Sequence, residues 1–199
     1  MKRAYYSKPI KEYLLDTESS ILGEMTVNHS NRTLEELQIN AWRKQILILQ
    51  EQLKDFEGQI YFEFAIPRMG KRVDNVVIIN ETVFVIEFKV GDGRYEKYAI
   101  EQAIDYTIDL KNFHEGSHHL KLIPVLVATN AENYKEPILN VIHHNSVAKS
   151  NQYNIADTLK TFINYNSKPI NIEYWGNSIY KPTPTIVDCG SCSSIIQRA

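Results

Sequence analysis

The chain of 199 residues carries 22 Lys plus Arg against 24 Asp plus Glu, a formal charge of -2, with 43% apolar and 11% aromatic residues. That is enough chain for one globular domain with a real core, and the balance excludes the global basic field of a protein that holds nucleic acid by charge alone. Cys189 and Cys192 cannot staple a framework, and no stretch approaches the roughly 20 apolar residues of a membrane span. The start MKRAYYSKPIKEYLL lacks the apolar run and small-residue site of an export signal, so a cytoplasmic protein with no membrane partner is expected.

Taken in chain order, residues 10–15 and 20–27 have the spacing of short helices, with Pro9 where a first turn tolerates it. Residues 1–30 read as a helical appendage. Thr33 and Glu36 make a capping box ahead of Leu34, Leu37, Ala41, Trp42, Ile46, Leu49 and Leu53, which predicts a long helix over 33–54. After Gly58, QIYFEFAI over 59–66 reads as a strand and PRMGK as a loop. RVDNVVII and TVFVIEFKV follow as strands, apolar on both faces, joined by Asn80-Glu81. Gly91-Asp92-Gly93 breaks the pattern. Residues 95–113 return to helical spacing through Ala99, Ala103, Tyr106, Leu110 and Phe113, and LIPVLVA over 122–128 is another buried strand. A helix over 155–165, a strand over 170–175 and a Pro-rich tail over 181–185 complete the reading, with 186–199 left as a C-terminal tail. The expected class is α/β, a mixed sheet flanked by helices, in the order helix, three strands, helix, strand from residue 33.

If Asn80-Glu81 is a two-residue hairpin turn, stepping back equally along both strands makes Ile79 face Thr82, Val77 face Phe84 and Asp74 face Glu87. Directly opposed residues share a face of the sheet, and two carboxylates about 5 Å apart at an effective dielectric of about 20 repel by roughly 3 kcal/mol. Something must offset that. Lys89 falls on the same face two residues beyond Glu87, and the same register sets Arg72 opposite Lys89. Two readings stay open: a buried ion-pair cluster that neutralises itself, or a divalent-cation site, since hard Mg2+ is held by one or two carboxylates, waters and a substrate phosphate. A lysine beside such a site can stabilise developing negative charge or act on an attacking water.

Asp74 followed by Glu87-Phe88-Lys89, in this order of elements, resembles the PD-(D/E)XK nuclease superfamily, and Gln102 with Tyr106 four residues on resembles the Q-x3-Y element of its RecB-like members. The stretches FEFAIPRMGKRVDNVVIINETVFVIEFKVG and YAIEQAIDYTIDLKNFHEGSHH are similar to the N-terminal nuclease-like domain of bacterial schlafen-group-three-like proteins, which join it to a helicase-type P-loop ATPase. The similarity spans roughly residues 5–185. It implies a restriction-endonuclease-like core over 31–185 that cuts nucleic acid, DNA ahead of RNA, with Mg2+ or Mn2+, in DNA processing or phage defence. It implies that Asp74, Glu87 and the Phe88 backbone carbonyl bind metal, that Lys89 acts on the water or transition state, and that Gln102 and Tyr106 support the site or contact phosphate. Members often add an acidic residue from the first helix; Glu35 is the candidate here, with Glu63 on the first strand a second. Val73 stands where the superfamily has proline, and no G-x-x-x-x-G-K-[ST] occurs, so an ATPase or helicase would act in cis from a missing part or in trans. A nuclease fold kept as a non-catalytic nucleic-acid-binding or assembly module of such an ATPase is the alternative.

Arg68, Lys71 and Arg72 crowd the approach to Asp74, and Arg94 and Lys97 follow the GDG turn; these five are candidate phosphate contacts. His118-His119 and His143-His144 are not evident chelates, because neighbours on an extended strand point opposite ways. The spacing Cys189-x-x-Cys192 has no second pair to complete a zinc site, and Gly91-Asp92-Gly93 lacks the third glycine of a dinucleotide loop.

Overall fold

A computed structural model describes residues 3–29, 35–133 and 146–183. Its centre is one mixed six-stranded sheet in the order β1 (Tyr6–Pro9), β2 (Gln59–Ile66), β3 (Lys71–Ile79), β4 (Thr82–Lys89), β5 (Lys121–Ala128) and β6 (Ala148–Ser150). β1 to β4 pair antiparallel, whereas β4, β5 and β6 run parallel. The change of direction has a simple cause. Tight turns join β2 to β3 and β3 to β4, while β4 reaches β5 only through the helix α4 (Lys97–Phe113), as parallel neighbours require.

Helices cover both faces. On one lie α1 (Ile10–Tyr13), α2 (Glu18–Asn28), α3 (Glu36–Gln52) and α5 (Ile155–Phe162), whose Ile10, Ile21, Trp42, Ile46, Leu49, Ile155 and Leu159 bury against Ile60, Phe62, Val77, Phe84, Ile86 and Val125. On the other, Tyr106 and Leu110 of α4 and Trp175 of α6 (Ile172–Asn177) pack on Tyr61, Phe64, Val76, Ile78, Val83 and Val85. A sheet buried on both faces explains why its central strands are apolar at nearly every position. Gly58 admits no other residue: at φ +146 a Cβ would stand 2.0 Å from the Ile78 carbonyl oxygen. Asn80 takes φ 53 in the β3–β4 turn, a conformation asparagine tolerates.

Several elements differ from the reading of the pattern. β1 is an edge strand where only helices were expected, and with Tyr5, Tyr6, Ile10, Tyr13, Ile21 and Met25 the N-terminal segment belongs to the main core. β6 is likewise a short edge strand. The helix predicted from Thr33 begins at Glu36 with Glu35 at its N-cap, and Thr33 lies outside the described residues. So do His143, His144, Cys189 and Cys192. Residues 170–175, predicted as a strand, open α6 instead, because the Asn171 side chain accepts a hydrogen bond from the Tyr174 amide at 2.9 Å and the turn it starts buries Trp175. Among the described residues, no helix is long and apolar enough to cross a membrane.

Candidate active site

The β3–β4 ladder runs as the turn predicts from Ile79↔Thr82 through Val77↔Phe84 to Asn75↔Ile86 and then stops. Asp74 and Glu87 come next. In place of a backbone rung, side chains close the gap: the Phe88 amide donates to Asp74 Oδ2 at 2.7 Å, and the Asp74 amide donates to Glu87 Oε1 at 3.3 Å. In a strand the N–H and C=O of one residue point to the same neighbour, so the Phe88 carbonyl also faces this gap. Arg72 does not continue the register to Lys89. It pairs with Ala65 of β2, and its guanidinium bonds the Glu63 carbonyl and lies 4.0 Å from the Tyr5 ring centroid.

The gap opens because β2 and β3 slip out of alternation at one shared place. On β2, Ile60 and Phe62 face α3 while Tyr61, Phe64 and Ile66 face α4; on β3, Val77 and Ile79 face α3 while Val73, Val76 and Ile78 face α4. Each strand therefore shifts phase once, at Glu63 and at Asp74-Asn75. The pairs Phe62↔Asn75 and Phe64↔Val73 bracket Glu63 and Asp74 and leave those two opposite each other. Glu63 sits at φ 52, a left-handed conformation costing a non-glycine residue on the order of 1 kcal/mol. Trp42 Nε1, donating to Glu63 Oε1 at 2.8 Å, and the Arg72 guanidinium on its carbonyl hold it there.

Across the gap, α4 supplies Gln102, whose amide is fully used. Its Nε2 donates to Glu87 Oε2 at 3.0 Å and to the Tyr106 hydroxyl at 3.1 Å, and its Oε1 accepts from Lys89 Nζ at 3.0 Å. Because lysine can only donate, the amide has one orientation. Lys89 is thus tied to Glu87 through Gln102 rather than by a direct ion pair. The structure brings Asp74, Glu87, Lys89, Gln102 and Tyr106 into one network at the C-terminal end of β4. It does not bring Glu35 there: that residue is exposed at the start of α3, and the third carboxylate acting on the pair is Glu63.

Burial sets the electrostatics. Desolvation first, against its hydrogen bond from Phe88, raises the Asp74 carboxyl to about 6. Desolvation and then the charge of Asp74 push Glu87 well above the usual range, and desolvation with Asp74 beside it lifts Glu63 to about 7. A group whose folded pKa is raised contributes stability that is present below its unfolded pKa and lost as pH rises through the folded one. For Glu63 the window runs from its ordinary 4.5 to about 7. His114, driven down to about 3 from 6.5 by burial, acts in the opposite sense over much of that range. Glu63→Gln isolates the carboxylate, since glutamine keeps an acceptor for Trp42. It is expected to stabilise the metal-free protein by on the order of 1–3 kcal/mol at pH 8 and by less than about 1 kcal/mol at pH 5. Melting curves of both proteins at the two pH values check this.

The five basic candidates do not form one patch. Arg68 stacks 3.4 Å from the Phe113 ring centroid and bonds Asp109 Oδ1 at 3.1 Å, two turns along α4 from Gln102. Lys71 is exposed at the start of β3, and Arg72 is occupied by Glu63 and Tyr5. Arg94 and Lys97, both exposed, flank the entry to α4 beyond Lys89, with Lys97 3.6 Å from Glu101. That entry is anchored: the Gly91 amide donates to Thr129 Oγ1 and Asn130 Nδ2 donates to the Gly91 carbonyl.

The donor set suits a hard divalent cation. Two half-buried or buried carboxylates, both raised by desolvation and Glu87 further by the charge of Asp74, are relieved by one, and a backbone carbonyl faces the same gap. Among the described residues no group of three His, Cys, Asp or Glu side chains is placed to hold a metal ion. Compared with models of protein families, with curated proteins and with solved structures, the chain gives no match.

Proposed function

We propose that the chain is a metal-dependent nuclease that hydrolyses phosphodiester bonds of nucleic acid, DNA ahead of RNA, on a restriction-endonuclease-like core. The observation that carries this reading is the Asp74–Glu87 pair, set into the open end of the β3–β4 ladder and linked through Gln102 to Lys89 and Tyr106. A self-neutralising ion-pair cluster would set the lysine directly on a carboxylate; here an uncharged amide stands between them. Asp74, Glu87 and the Phe88 carbonyl would hold Mg2+ or Mn2+, which when bound supplies Lewis-acid stabilisation of phosphate charge.

The work of this chain's residues follows from their placement. Gln102, with both amide hydrogens and its oxygen committed, fixes the directions of Glu87 and Lys89. Lys89 places a positive charge at the rim, where the attacking water and the phosphate oxygens gather charge as the new P–O bond forms and the ester bond breaks to a phosphate monoester and a sugar hydroxyl. Arg94 and Lys97 would hold the strand beside the scissile phosphate. If the resemblance to ATPase-linked nuclease domains holds, a P-loop ATPase or helicase, in cis or in trans, would be the machine that feeds substrate.

The test is incubation of the purified protein with linear and circular, single- and double-stranded DNA and RNA in Mg2+, Mn2+ or EDTA. Cleavage with either metal and none in EDTA is expected. Equal binding in EDTA with no cleavage under any condition would replace this reading with a non-catalytic nucleic-acid-binding module.

A further inference from the structure

Tyr98 stands in the first turn of α4 and is 59% exposed. It is not part of the network, yet it is aligned with it: Tyr98, Gln102 and Tyr106 recur every four residues and so share one face of the helix. Tyr106 is buried, Gln102 half-buried and Tyr98 exposed, so the stripe climbs from the carboxylates to solvent. At its outer end Lys89 Nζ lies 5.5 Å from the Tyr98 ring centroid. One amine therefore touches both Gln102 and the face of an exposed aromatic ring. Among the described residues Tyr98 belongs to none of the three hydrophobic clusters. Exposed Arg94 and Lys97 stand beside it on the same loop and turn, with Glu96 and Glu101 also exposed there, so charge alone does not define the surface.

Taking the nuclease reading as its premise, we infer that Tyr98 is a stacking platform for an unpaired base next to the scissile phosphate, which makes single-stranded nucleic acid or an unpaired end the preferred substrate. A base resting on Tyr98 sets the adjoining phosphate toward Lys89, because the amine already lies by the ring. A base within a duplex has both faces covered by its neighbours and must first be unstacked, so double strands gain less from the platform.

The experiment measures binding, without cleavage, in Ca2+. A single-stranded oligodeoxynucleotide carrying 2-aminopurine is titrated with wild type, Tyr98→Ala, Tyr98→Phe and Tyr98→Trp, beside a blunt duplex of the same sequence. Wild type is expected to quench the 2-aminopurine emission of the single strand. Tyr98→Ala should bind that strand about tenfold more weakly and lose the quenching, while duplex affinity changes less than about threefold. The phenylalanine and tryptophan variants should retain both signals, which a role through the hydroxyl group would not allow. As the side chain is exposed, all four proteins should melt alike. Equal losses on single strand and duplex, or an alanine variant that still quenches, would overturn the platform while leaving the nuclease reading in place. A wild type that binds neither substrate would overturn both.

Discussion

Asp74→Asn and Glu87→Gln are each expected to abolish phosphodiester cleavage, by about 100-fold or more, while leaving the metal-free protein as stable or more stable. Two opposed effects decide the second half of that result. At a pH where both carboxyls are ionised, neutralising one relieves a repulsion of roughly 3 kcal/mol for charges about 5 Å apart at an effective dielectric near 20. Against this, the bond from the Phe88 amide to Asp74 falls from charge-assisted to neutral, a loss of about 1 kcal/mol, and at position 87 a glutamine has one acceptor for two donors, Gln102 Nε2 and the Asp74 amide, so one of those bonds is lost as well. For Asp74→Asn a net gain of about 1–2 kcal/mol remains, or about 2–8 °C in melting temperature for a domain of this size, and for Glu87→Gln the gain and the lost bond nearly cancel. Alanine is the wrong probe at position 74: it leaves the Phe88 amide without its acceptor, which costs about 1–3 kcal/mol and cancels the gain. Cleavage fails in the amide variants because an amide is a poor ligand for a hard cation compared with a carboxylate. If both amide variants melted more than about 5 °C lower than wild type in EDTA, the carboxylates would be holding the fold together, and the cluster would be a structural one.

How far the pattern of residues could be read depends on where the information sits. The β3–β4 hairpin was readable to Ile86 because Asn80 takes the left-handed conformation its turn needs and the flanking residues are apolar throughout. Asp74 and Glu87 could then be set together by counting alone. What counting could not supply is the phase slip. Strict alternation along FEFAI puts Phe62, Phe64 and Ile66 on one face, yet Phe62 packs under α3 while Phe64 and Ile66 pack under α4. No glycine or proline marks the place. The slip is imposed from outside the strand by Trp42 and Arg72, which grip the side chain and the carbonyl of Glu63. The signal that was available is chemical: Glu63 and Asp74-Asn75 are the polar interruptions of two apolar strands, and they meet in the pairing. For the same reason the pattern points to Glu35 ahead of Glu63, since a helical stripe is periodic in the sequence and a kink dictated by tertiary contacts is not. β1 and β6 leave no mark in the sequence because 4-residue and 3-residue edge strands are defined by their partners rather than by their own composition.

Lys89 separates binding from reaction. Lys89→Met keeps a long apolar stem against Tyr98 and removes the charge, so the ring and the entry to α4 remain supported. Gln102 loses the donor on its oxygen but keeps both bonds from its nitrogen, to Glu87 and Tyr106, and Glu87 therefore stays in place. Occupancy of the carboxylates by a divalent cation and affinity for nucleic acid should change little, while cleavage in Mg2+ falls by about 10²–10³-fold, the cost of removing one group that meets charge only as it develops. Wild type in Ca2+ should show the same pair of properties from the other side. The larger ion prefers more ligands at about 2.3–2.6 Å, so it relieves the repulsion between Asp74 and Glu87 and supports binding without aligning water and phosphate for in-line attack. Binding curves in Ca2+ for wild type and Lys89→Met, with cleavage rates in Mg2+, make the comparison. A variant that cuts at the wild-type rate would remove Lys89 from the reaction. One that loses affinity in proportion to its rate would make the lysine a substrate-holding cation whose charge is felt equally before and during the chemical step.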